Sequence, residues 1–214
     1  MGAGCEKDDE LLWEISPESK TAVIQKEVDG VEFKFCLLNE KGEPATAFKE
    51  GENFSFSLSL KNNKPEPLPF YNYEYYQSSD FCEVRTESKS YGQPFIFKAY
   101  STTEELRWLR SGVSNELSYN FKVPWHDERD QWQLYWGFFE SSKQPYLKKG
   151  IYYTQFSYKF SFGVPDKEPV LETGLITFKI NFEVKYFSHE KNHYSYPNLR
   201  MDDYSICPDP YPNA

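Results

Sequence analysis

Asn53-Phe54-Ser55-Phe56-Ser57-Leu58-Ser59-Leu60 alternates without a break, apolar at every even position and polar at every odd one. Successive side chains of a β-strand point to opposite faces, so this period sorts the stretch into one apolar wall and one wet wall. A helix would scatter the same residues around its circumference. The reading is therefore a half-buried strand with one face on a core and one in water.

The same period recurs on both sides of that stretch. Val31, Phe33, Phe35 and Leu37 alternate with Glu32, Lys34 and Cys36. Asp29-Gly30, just before them, predicts a hairpin turn from a strand near Thr21–Val28, because Asp-Gly suits the left-handed geometry of a tight two-residue turn. Leu117, Tyr119, Phe121 and Val123 alternate up to Pro124. After Gly150, Tyr152, Phe156, Tyr158, Phe160 and Phe162 share a phase. Ile176, Phe178, Ile180, Phe182 and Val184 form the last such row, opposite Thr177, Lys179, Asn181 and Glu183. Many short alternating strands with turn punctuation predict two sheets packed face to face. The expected fold is all-β, an immunoglobulin-like antiparallel sandwich, with a jelly roll as the alternative.

Three segments break the rhythm. Lys61–Pro69 is polar and proline-rich, and Tyr71, Tyr73, Tyr75 and Tyr76 crowd behind it, so 61–100 reads as an inserted Pro/Tyr-rich region. Thr102-Thr103-Glu104-Glu105 forms a capping box ahead of Leu106, Trp108, Leu109 and Arg110, and Gly112 offers a stop. It predicts one short helix. From His189 onward prolines and tyrosines predict an irregular tail. The expected organisation is a tether and entry segment over 1–20, a β-sandwich domain over 21–188 and a packed C-terminal tail over 189–214. At 214 residues the chain suits one domain with a core large enough to need no staples.

Charge and cysteines narrow the function classes. The net charge of -9 disfavours nucleic acid and anionic lipid headgroups, which both reward clustered Lys and Arg. Lys148-Lys149, the only compact basic spot, reads as a solvated edge. No stretch approaches the ~20 apolar residues that span a bilayer as a helix. Cysteines stand at 5, 36, 82 and 207, none within metal-ligand spacing of another. Cys36 could pair with Cys82 or Cys207 in an oxidising compartment. Its place in a strand-like run favours a buried free thiol.

Cys5 stands behind Ala3-Gly4 and ahead of Glu6-Lys7-Asp8-Asp9-Glu10. This resembles the processed end of a bacterial lipoprotein, and the acidic run is similar to the export signal that sends some Gram-negative lipoproteins to the outer face of the outer membrane. The resemblance implies lipidation at Cys5 and a solvated tether. It also implies a cell-surface location, with the periplasm as the alternative, and membrane contact through the lipid anchor only. A second resemblance rests on Glu50-Gly51-Glu52, the strand Phe54–Leu60 ending Lys61-Asn62-Asn63, and Leu147-Lys148-Lys149-Gly150-Ile151-Tyr152. These are similar to immunoglobulin-like domains of secreted bacterial lipoproteins and, more distantly, to the bacterial intracellular proteinase-inhibitor domain. The insertion at 61–100 departs from the inhibitor pattern, so no inhibitory residue carries over.

No constellation predicts catalysis, a metal or a cofactor. His189-Glu190-Lys191-Asn192-His193 spells H-E-x-x-H, but that motif needs a helix to align both imidazoles, and this one leaves a strand and runs into Tyr196-Pro197. His126 has no G-x-S-x-G partner in the chain. Asp127-Glu128-Arg129-Asp130 reads as a solvated loop with Arg129 satisfying its neighbours. The functional hint lies in the aromatics. Tyr71, Tyr73, Tyr75 and Tyr76, together with Trp125, Trp132 and Trp136, are the candidate ligand-binding residues, because an exposed ring stacks on the C–H faces of sugars and on partner side chains. The expectation is a non-enzymatic surface lipoprotein that binds a glycan or other extracellular polymer. The alternative is a protein–protein module: an accessory subunit, an adhesin or a proteinase inhibitor.

Overall fold

The computed structural model describes residues 10–71, 78–99, 106–109, 118–133, 137–163 and 168–186. The strands come in the order β1 (Leu11–Ile15), β2 (Val23–Val28), β3 (Val31–Leu38), β4 (Ala47–Lys49), β5 (Ser55–Asn62) and β6 (Leu68–Tyr71). There follow β7 (Val84–Arg85), β8 (Ser90–Gly92), β9 (Phe95–Ala99), β10 (Leu106–Leu109), β11 (Ser118–Pro124) and β12 (Gln131–Gln133). The last are β13 (Gly137–Ser141), β14 (Gly150–Tyr158), β15 (Ser161–Phe162), β16 (Leu171–Glu172) and β17 (Ile176–Lys185). Among the described residues the protein is all-β.

Two sheets form the sandwich. One runs β11-β5-β3-β2; the other runs β1-β17-β14-β7-β8, with β4 also on β17. The alternating rows meet between them. Phe33 and Phe35 of β3 reach Phe178 of β17 at ring-centroid distances of 6.4 and 5.7 Å. Phe54, just ahead of β5, meets Phe182 at 5.4 Å. Two smaller sheets close the flanks, β10-β6-β15-β16 and β12-β13-β9. Phe160 and Phe162 bring the first against Phe33, at 4.9 and 6.5 Å. Phe95 and Phe139 bring the second against Phe121, at 5.9 and 5.6 Å. All these rings belong to one continuous core that extends from Trp13 to Val184. Each fully buried Phe contributes about 1.5–3 kcal/mol by leaving water, which supports a fold of this size without cross-links. Cys36 and Cys82 are indeed both free thiols, and both are buried.

The turns follow sequence chemistry. Asp29 (φ 49°) and Gly30 (φ 79°) both adopt left-handed backbone, closing the β2–β3 hairpin with Val28 opposite Val31. Asn53 does a rarer job. Its Nδ2 donates to the His126 carbonyl (2.8 Å) and its Oδ1 accepts from the His126 amide (3.0 Å). The side-chain amide thus prolongs the β5–β11 ladder one step past Pro124, where the Trp125 amide still donates to the Phe54 carbonyl (2.8 Å).

Two expectations are corrected. Leu106–Leu109, read as part of a short helix, is strand β10, antiparallel to β6 with Leu106 opposite Tyr71 and Leu109 opposite Leu68. A helix this short gains little from its own hydrogen bonds, whereas the open edge of β6 supplies a ladder. The capping-box residues 102–105 lie outside the described residues. The sandwich also begins before residue 21. Leu11–Ile15, placed in the entry segment, is β1 and pairs parallel to β17, which buries Trp13 and Ile15. β4 lies parallel to the far end of β17, so the sheet is not purely antiparallel.

Candidate functional site

The outer face of the larger sheet is built from the polar phase of the same alternating strands. β14 turns Tyr152, Thr154 and Phe156 inward and Ile151, Tyr153 and Gln155 outward. β17 sends Lys179, Asn181 and Glu183 to the same outer side. Register then stacks four rungs. Leu12, Thr177 and Ser157 lie side by side, then Glu14, Lys179 and Gln155, then Asn181, Tyr153 and Arg85, then Ala47, Glu183 and Ile151. At about 3.3 Å per residue this face runs roughly 20 Å along the strands.

The turn Thr86–Ser88, between β7 and β8, rises beside it and makes a groove of about 650 Å³. Its lining includes Ile151, Tyr153, Gln155, Lys179 and Asn181. The turn is held by a hydrogen bond from the Thr86 amide to the Lys89 carbonyl (2.8 Å). On the opposite side β1 contributes Glu14. Its carboxylate accepts from the Lys179 ammonium (2.8 Å) and from Asn181 Nδ2 (2.7 Å). Those contacts hold the Glu14 carboxyl below its ordinary value, the Lys179 bond first and the Asn181 bond second, against a small opposing effect of burial. The Lys179 ammonium stands 5.9 Å from the Tyr153 ring centroid, at the outer limit of cation–π attraction, and leans toward Glu14. Arg85 is likewise committed: it pairs with Glu83, whose other oxygen accepts from the Ser90 hydroxyl.

The residues singled out from sequence fall elsewhere. Trp125 is in the core at 1% exposure, stacked on Phe54 at 5.9 Å, with its Nε1 donating to the Pro145 carbonyl (2.9 Å). Its faces are covered by protein, so it is corrected from candidate ligand platform to core residue. Tyr71 ends β6 opposite Leu106. Trp132 lies in β12 opposite Phe139. Tyr73, Tyr75, Tyr76 and Trp136 lie outside the described residues, as do Cys5, Cys207 and the His189–His193 string. In the 127–130 loop Arg129 grips Asp127 through Nε and Nη2, as expected, and Lys143 reaches Asp130 at 2.5 Å.

Sequence reasoning passed over Tyr153. Its signal was present: an aromatic ring on the outward phase of a strand whose inward phase is Tyr152, Thr154 and Phe156. No protein-family model matches the chain, and no curated protein and no solved structure matches it.

Proposed function

We propose that this chain is a non-enzymatic binding module that carries a glycan or other extended polymer on the outer face of its larger sheet, and that an acylated Cys5 holds it at the bacterial outer membrane. One observation carries the reading: a groove of about 650 Å³ lies on a sheet face that presents the partly exposed Tyr153 ring amid amide, hydroxyl and self-paired charged groups. A ring of this kind offers apolar surface to the C–H face of a sugar, and the flanking amides suit its hydroxyls. An open, elongated face also suits a chain better than a small metabolite, which is usually enclosed in a concave pocket. A binding role is further supported by the state of the ionic groups. Glu14 is paired with Lys179 and Glu83 with Arg85, which suits positioning better than proton transfer.

Two measurements test this. A polysaccharide array spanning neutral, acidic and basic polymers is expected to show at least one ligand for the wild type and a loss with Tyr153→Ala. Mass spectrometry of the protein extracted from its native membrane is expected to find acyl chains on Cys5. An empty array and an unmodified cysteine would each remove one half of the proposal.

Leu12 and Ile151 favour a second reading. They are 59% and 63% exposed at opposite ends of this same face. Apolar side chains flanking a polar centre also suit a protein partner, and an empty polysaccharide array would shift the assignment there.

A further inference from the structure

We infer that the groove selects an electrically neutral, hydroxyl-rich polymer and gives no advantage to acidic or basic ones. This inference rests on the binding role proposed above and specifies the ligand's class.

The site pairs off its own charges. Lys179, the cation lining the groove, already faces the Glu14 carboxylate at 2.8 Å. A ligand carboxylate or sulfate that took Lys179 would leave Glu14 without its cation beside an incoming negative charge. A ligand amine that took Glu14 would strand Lys179 in the same way. Either exchange replaces one ion pair with another and adds no attraction. Arg85, on β7 beside Tyr153, is bound to Glu83 in the same manner and also meets the Tyr153 hydroxyl. Glu87 at the rim and the net charge of -9 repel polyanions further; the pull they exert on a polycation is long-range, fades at high salt and is not directed at the Tyr153 ring.

What the groove does offer is neutral hydrogen bonding around a ring. Gln155 is exposed on the rung beside Tyr153, and no described residue takes up its amide. Thr86 and Ser88 place hydroxyl side chains along the wall. Amides and hydroxyls each donate and accept, as sugar hydroxyls do, so the two sets can pair without regard to net charge. The Tyr153 ring supplies the apolar contact that orients a pyranose face.

The test is affinity electrophoresis and calorimetry on the intact chain. The probes are dextran, cellohexaose and mannan as neutral polymers, alginate and polygalacturonate as acidic ones, and polylysine as a basic one. Each is measured at low salt and at about 1 M salt, where the screening length falls to about 3 Å. Binding of a neutral probe, unchanged by salt within about twofold and weakened about tenfold by Tyr153→Ala, supports the inference. Gln155→Ala, on the exposed face, is the second variant and is expected to weaken the same probe, with unfolding midpoints of both variants measured to verify folding. Salt-sensitive binding of only an acidic or basic probe overturns the inference while leaving a polymer-binding module in place. Neutral binding indifferent to both variants overturns the assignment to this groove. Binding of no probe overturns the inference and the binding role together.

Discussion

Thr154 is the residue whose chemistry fits its surroundings least. It sits on the inward phase of β14 between Tyr152 and Phe156, opposite Ile180, and is fully buried. Among the described residues its Oγ1 has no hydrogen-bond partner. A buried hydroxyl left unmatched costs about 1–3 kcal/mol, and Val keeps the branched shape while removing the polar atom. Thr154→Val is therefore expected to stabilise the protein by about 1 kcal/mol in urea unfolding, with an unchanged slope. A loss of stability would mean that the hydroxyl contributes a favourable bond and would overturn this reading. At this scale sequence is a good guide to direction and a poor guide to exposure. The alternating rows correctly separated Tyr152 from Lys179. Nothing local, however, could show that Trp125 stacks on Phe54 and bonds the Pro145 carbonyl, since those partners are distant in the chain.

Elements were legible where their cause is local. Asp29-Gly30 announces its hairpin because left-handed backbone is a property of those two residues. β10 was misread because its partner, β6, is more than thirty residues away, and a capping box is a weak preference that an open strand edge overrides. β1 escapes a local reading for a like reason, since its partner β17 is the last strand in chain order, at the other end of the sequence. The candidate groove needed three such pairings at once, β1 with β17, β17 with β14 and β14 with β7. Its residues could be read as outward-facing from sequence but not as neighbours. The segment after β11 yields a prediction of its own. His126 Nδ1 faces the Gln144 carbonyl (2.7 Å) and Nε2 faces the Glu128 carboxylate (2.8 Å), so both ring nitrogens meet acceptors and the imidazolium is favoured. The Gln144 carbonyl raises its pKa most, then Glu128, with Asp127 adding a smaller Coulomb pull and burial opposing. A histidine raised in the fold adds stability that is complete below its unfolded value, near 6.5, and that disappears as pH climbs through the folded value. The ring should titrate above 6.5 by NMR and move down in Glu128→Gln. Urea stability should decline slightly across that same window. A ring titrating below its ordinary value would disprove this two-acceptor clamp between the 126–130 loop and the Gln144 segment.

Across the whole molecule, as far as its described residues go, one aromatic core holds the sheets together, and that has a consequence for its thiols. Cys36 lies on β3 in the main sandwich, while Cys82 lies in the turn beside Phe81, which packs on Phe121 and Phe156. Cys82 belongs to the continuous core, while Cys36 is buried on the other phase of β3, between Phe35 and Leu37, which do belong to it. Burial pushes both thiols upward in pKa, Cys82 strongly, although Lys34 and Ser57 offset part of the effect at Cys36. A thiol reagent attacks the thiolate, so each site is protected twice, by lack of access and by lack of ionisation. If the core opens as a unit, both cysteines become reactive in the same event. In a Cys5→Ser, Cys207→Ser background, native protein near pH 8 should react slowly at both positions. The two labelling rates should then rise with urea along a common slope equal to that of global unfolding. Fast labelling of Cys36 alone, with no dependence on urea, would show that the β11-β5-β3-β2 sheet opens locally, and the single-core description would have to give way to two separately stable layers.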